Sequence, residues 1–173
     1  SDAGINELGS GSVSVTNLRI DVDTAVSMNQ SNDVVTLAAN VADAGQAFSF
    51  TDNNTLQLDT VDGTTGISTN AADITLTVNA GSLTQDTGEV IIATGLRLSV
   101  VGAITLNEAN DIDTLAANIS GASNALQFTD ADGFSVGTVG GLDGVSTSAG
   151  TITLVASTGD LTITDTAAGF DVN

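Results

Sequence analysis

Thr36-Leu37-Ala38-Ala39-Asn40 is spelled again, letter for letter, as Thr114-Leu115-Ala116-Ala117-Asn118. Outward from this pentapeptide the match continues without a gap. Leu18-Arg19 returns as Leu96-Arg97, Phe50-Thr51-Asp52 as Phe128-Thr129-Asp130, and Ile74-Thr75-Leu76 as Ile152-Thr153-Leu154. Residues 18–84 and 96–162 form 67 pairs at a spacing of 78, of which 30 are identical; roughly 7 would arise by chance in so biased a composition. Many mismatches are aliphatic exchanges such as Val26/Ile104, Val34/Ile112, Val41/Ile119 and Ile67/Val145. A tandem repeat constrains architecture before any single residue does, because each copy must bury the same face against its neighbour.

Within each copy the apolar period is two. Leu18-Arg19-Ile20-Asp21-Val22, Ile74-Thr75-Leu76-Thr77-Val78 and Phe48-Ser49-Phe50 alternate aliphatic or aromatic residues with polar ones, the pattern of a half-buried strand. Strand centres recur every eight to ten residues, separated by turn dipeptides such as Asp62-Gly63, Asp132-Gly133, Gly140-Gly141 and Asp143-Gly144. No helix is expected; the Ala-rich residues 36–44 come nearest, weakened by Asn40 and the flanking Val and Asp. The fold class is therefore all-β.

Two arrangements suit short, evenly spaced strands: a parallel β-solenoid, or an antiparallel β-sandwich. The ungapped repeat favours the solenoid, as does the absence of Trp and Tyr, since thin aliphatic cores serve coils that stack like on like. Proline is also absent, and in a continuous ladder it would break a hydrogen bond nearly anywhere. The expectation is one domain over 1–173, with a first repeat at about 18–95, a second at about 96–173, and 1–17 closing a preceding coil. At about 24–26 residues per coil, each copy should hold about three coils, six to seven in all, giving a rod ~30 Å long.

The runs Ala103-Ile104-Thr105-Leu106, residues 128–139 from Phe128-Thr129-Asp130 onward, and residues 144–154 from Gly144-Val145-Ser146 onward resemble the repeats of large bacterial exoproteins of the filamentous-haemagglutinin, two-partner-secretion or autotransporter kind. The resemblance covers most of the chain in both copies. It implies a right-handed parallel β-helix forming the stalk of an adhesin at the bacterial cell surface or outside the cell, with a host-cell or carbohydrate receptor as the stalk's ultimate partner.

Composition narrows the chemistry. The chain carries 21 acidic residues, two arginines, and neither lysine nor histidine, for a net charge of −19. Nucleic acid is excluded as a partner, because phosphate neutralisation needs basic side chains. No apolar run reaches a membrane span, so membrane insertion is not expected, and no charged-then-apolar leader is visible. Residue 1 reads as the start of an excised or processed chain. Without Cys, neither disulfides nor thiolate metal sites contribute.

Catalysis would fall to carboxylates alone, and no enzyme is expected. Asp130 and Asp132 could form an acid–base pair, but the counterpart of Asp132 is Asn54. Calcium is the better chemical expectation. Asp130-Ala131-Asp132-Gly133 resembles the opening of an oxygen-ligand loop, and Asp52 begins the matching stretch of the first copy. The metal candidates are thus Asp52, Asp130 and Asp132, set against the simpler reading of solvated turn carboxylates. Of all the acids, only Asp33/Asp111 and Asp52/Asp130 hold equivalent positions. Arg19 and Arg97 should point outward and pair with an acid on an adjacent coil, Phe50 and Phe128 should stack inside, and Asn29/Asn107, Asn32/Asn110 and Asn40/Asn118 should mark coil corners. Outward Thr-x-Thr runs invite an ice-binding reading, but they recur too irregularly for a flat array. The function expected is a non-enzymatic stalk segment, with a self-assembling extracellular filament or a calcium-dependent adhesin domain as alternatives, and with adjoining repeats or copies of itself end to end as partners.

Overall fold

A computed structural model describes residues 4–164. The alternating segments are strands, and they pair not with their sequence neighbours but with the strand one coil away, in parallel. The result is a β-solenoid of about 7 turns, with no helix among the described residues. Antiparallel pairing occurs, among the described residues, only inside two small hairpins. The sandwich alternative is therefore set aside.

Like side chains stack through the interior along two walls. On the first wall Val26, Phe48, Ile74, Leu96, Leu115, Val136 and Ile163 follow one another in register. On the second, Leu56, Leu83, Ile104, Leu126 and Ile152 do the same. Phe50 and Phe128, one on each wall, are fully buried. At about 25 cal/mol per Å² of apolar surface, such stacks are the main favourable contribution to the fold.

The repeat does not span three coils. From Val26, three turns up the first wall lead to Leu96. From Leu18, three turns up the second wall reach only Gln85. Leu96, the counterpart of Leu18, therefore lies on the opposite wall. One copy advances three and a half turns, so every repeated side chain appears twice on opposite walls. Coils are also unequal: Leu18 sits beside Leu37, 19 residues on, whereas Ala39 sits beside Ile67, 28 residues on.

The structural equivalence reaches back beyond the sequence identity. Ile5 pairs with Val26 as Leu83 pairs with Ile104, and Leu56 pairs with Leu83 as Phe134 pairs with Leu161. Ile5, Leu83 and Leu161, spaced by 78, thus start the same strand three times. Residues 165–173 of the second expected repeat lie outside the described residues.

The longest coils carry an insertion that folds outward. Val61 and Thr64 bridge across Asp62-Gly63, with φ of 47° and 82°. Thr138–Val139 pairs with Leu142–Asp143 across Gly140-Gly141, with φ of 56° and 80°. Positive φ at both central residues is the turn that matches strand twist in a two-residue hairpin. Because the repeat ends half a turn out of phase, the two hairpins project from opposite walls. Gly66 returns the first to the ladder: its φ is +56°, and a Cβ there would lie 2.1 Å from the Val90 carbonyl oxygen.

Candidate functional site

The polar residues shared by both copies that are turned inward and fully buried are Asn32, Asp52, Asn110 and Asp130. Asp52 follows Phe48 and Phe50 at every second position, and Asp130 follows Leu126 and Phe128 likewise. Each Asn sits one coil below its Asp, at a corner where the strand register shifts and the backbone ladder breaks. Backbone groups stranded at such a break must find side-chain partners.

Asn110 supplies them in the second copy. Its Oδ1 accepts the Ile91 N–H at 2.8 Å and the Gln85 amide at 2.7 Å. Its Nδ2 donates to the carbonyls of Thr129 (2.9 Å), Glu108 (3.1 Å) and Leu106 (3.3 Å). Asn32 does the same in the first copy, accepting the Val13 N–H at 2.7 Å and donating to the Thr51 carbonyl at 3.0 Å. Asp52 accepts the N–H groups of Val34 and Asn54, both at 2.8 Å. Asp130 accepts those of Ile112 (3.1 Å) and Asp132 (3.2 Å).

The three residues expected to hold calcium are placed as follows. Asp130 and Asp132 share one turn, with Asp132 exposed and its Oδ1 accepting the Gly133 N–H at 2.6 Å. Asp52 stands three and a half turns away on the other wall. Calcium takes six to eight oxygens, whereas both carboxylate oxygens of Asp52 and of Asp130 already accept backbone N–H groups. Among the described residues no three metal-ligating side chains converge.

Burial raises the Asp52 carboxyl above its ordinary range, against the lowering effect of its N–H donors. Burial likewise pushes Asp130 up to about 6, with the Ile112 and Asp132 N–H groups opposing and the Asp132 carboxylate assisting. A proton is thus held more tightly in the folded chain than in the unfolded one. The associated stability is fully present below the unfolded carboxyl's pKa of about 4 and is lost as pH rises through about 6. Thermal melts should therefore show the protein more stable at pH 5 than at pH 7.5, with about 1 kcal/mol arising from Asp130. Asp130→Asn should flatten that part of the dependence.

Repeated residues on the outer face, Arg19 exposed and Arg97 half-buried, build a second feature. Arg19 donates through Nε to the Thr64 hydroxyl at 2.6 Å, tying the first hairpin to a strand two coils below. Its guanidinium pairs with Asp21. The expected acid thus lies on the same strand rather than on an adjacent coil, because in-register stacking puts Ala38, not an acid, beside Arg19. Arg97 underlies the other hairpin, its side chain 3.0 Å from where a Cβ on Gly140 would lie. A shallow groove lined by Arg19, Asp21, Asn40, Thr64 and Ser68 runs along this contact.

Asn40 and Asn118 lie on strand faces and not at corners. They accept hydroxyls from the next coil, Ser68 at 2.9 Å and Ser146 at 3.0 Å. The outward position of Thr75 has Ser49 below and Arg97 above, so no threonine array forms there.

No protein-family model, curated protein or solved structure matches this chain.

Proposed function

We propose that the chain is a non-enzymatic structural segment, a stiff stalk piece of a secreted or cell-surface bacterial adhesin or exoprotein. The observation that carries this reading is the continuity of packing and hydrogen bonding across the boundary between copies. Residues 74–78 of the first copy pair with residues 96–100 of the second in the same parallel register found within a copy. A boundary that is also an ordinary coil step gives no hinge, so adding copies lengthens one body instead of stringing separate ones.

The polar residues repeated in both copies support the same reading. Asn32, Asp52, Asn110 and Asp130 each bond the backbone of an adjacent coil as well as their own corner, and Arg19 bonds a hairpin. The acidic surface keeps neighbouring rods apart sideways through mutual repulsion.

Doubling the described unit to four copies tests the proposal. Electron microscopy should show one unbroken rod lengthened by about 34 Å, at ~4.8 Å per added coil. Separate lobes joined by bends would overturn the stalk reading.

A further inference from the structure

The two end edges of the coil are copies of surfaces that already meet inside the chain. At the internal junction, Ile74 pairs with Leu96, Leu76 with Leu98 and Val78 with Val100. Ile67 pairs with Ile91, and Ser68 with Ile92. Moved up by 78, the lower partners are Ile152, Leu154 and Ala156, with Val145 and Ser146. Moved down by 78, the upper partners are Leu18, Ile20 and Val22, with Val13 and Ser14. Among the described residues, Ile152–Ala156 pairs on one side only, with Leu126–Asp130. Ser14–Val22 likewise pairs on one side only, with residues 33–41. Val15 and Val155 at these edges are both 41 % exposed.

We propose that a second copy of this chain docks head to tail on these edges, with Ile152–Ala156 against the partner copy's residues 18–22 and Ser146 beside its Ser14. This rests on the rod reading and adds to it a partner and a register. The phase of the repeat favours the fit. One copy of three and a half turns would meet its successor with the walls exchanged, but two copies make a whole number of turns. The interior stacks of the two chains therefore line up, Leu18 above Ile152 as Leu96 stands above Ile74.

One strand position is claimed twice at such a junction. Ile5–Asn6 lies beneath residues 26–27 as residues 83–84 lie beneath residues 104–105, and Leu161–Ile163 is the equivalent strand of the chain below. Glu7 accepts the Gln30 N–H at 2.8 Å and the Asn32 amide at 3.3 Å. Gln85, its counterpart, accepts from Glu108 at 3.3 Å and Asn110 at 3.5 Å. Ile163, third in the series, cannot accept a hydrogen bond through its side chain. The incoming copy's Ile5–Asn6 therefore keeps the position and lies on Phe134–Val136, displacing Leu161–Ile163, whose Leu161 and Ile163 are 39 % and 47 % exposed.

The chain has no cysteine, so single thiols report contacts without background. The 173-residue chain as Ser14→Cys and as Ser146→Cys, mixed in equal amounts with a short bismaleimide, should give a covalent dimer that neither variant gives alone. The yield should rise severalfold with added salt, which screens the charge carried by each chain. Sedimentation of the unaltered chain should show the matching salt-dependent rise in mass. Absence of the mixed dimer, self-linking of either variant at equal yield, or a monomer at every salt concentration would overturn the docking. Those results leave the four-copy rod experiment untouched, so the two readings fail separately.

Discussion

Replacing Asn110 with alanine is expected to lower the free energy of unfolding by about 3–5 kcal/mol, read as a fall in the urea midpoint. Five neighbouring groups converge on this one amide: the Ile91 N–H, the Gln85 amide, and the carbonyls of Leu106, Glu108 and Thr129. Alanine removes their partner where Asn110 is fully buried, and each polar group left unpaired in such a place costs about 1–3 kcal/mol. Asn107, three residues earlier and equally repeated, makes one exposed side-chain bond to Gln127. Asn107→Ala should change stability by less than about 0.5 kcal/mol. Equal effects at the two positions would show that the corner is not held as described.

Phe50→Ala should cost a similar amount, about 3–5 kcal/mol, for a different reason. Phe50 stands between Met28 below and Leu76 above, is fully buried, and lies 6.4 Å from Phe48 ring to ring. A coil locked into ladders on both sides collapses poorly around a missing ring, so the cavity term is retained in full. Phe128, the counterpart on the opposite wall, meets Phe134 edge-on at 5.2 Å and should respond alike. Denaturant unfolding of both variants checks this. A loss below about 1 kcal/mol at either would contradict the stacked interior.

The strands and their parallel stacking were legible because alternation and repetition are local properties. The turns at Asp62-Gly63 and Gly140-Gly141 were legible too, since these residues supply positive φ, but nothing in the dipeptides distinguishes these two as hairpins from the other turns. The phase of the repeat was not legible. A uniform coil length gives about three coils per copy, but real coils run from 19 to 28 residues because the hairpins are inserted into some and not others. Which residue lies above which is decided by hydrogen bonds between coils, and nothing along one strand encodes it.

Asp52 and Asp130 carry two signals in the sequence, one for a turn and one for burial. Asp-Ala-Asp-Gly chemistry suggests a turn ligand, yet simple alternation from Phe48 and Phe50 already points Asp52 inward. The retention of Asn32 with Asp52, and of Asn110 with Asp130, at the same spacing of 20 marks them as a pair. The same alternation turns Arg19 outward. Its hairpin partner Thr64, 45 residues away, depends on the fold-back of an insertion that periodicity does not describe.

Backbone nuclear Overhauser contacts decide whether the coils stack in parallel. Residues 74–78 should contact residues 48–52 on one side and residues 96–100 on the other, each in parallel register. Cross-strand α-proton contacts between Phe48–Asp52 and Leu56–Leu58, as in an antiparallel hairpin, would contradict it.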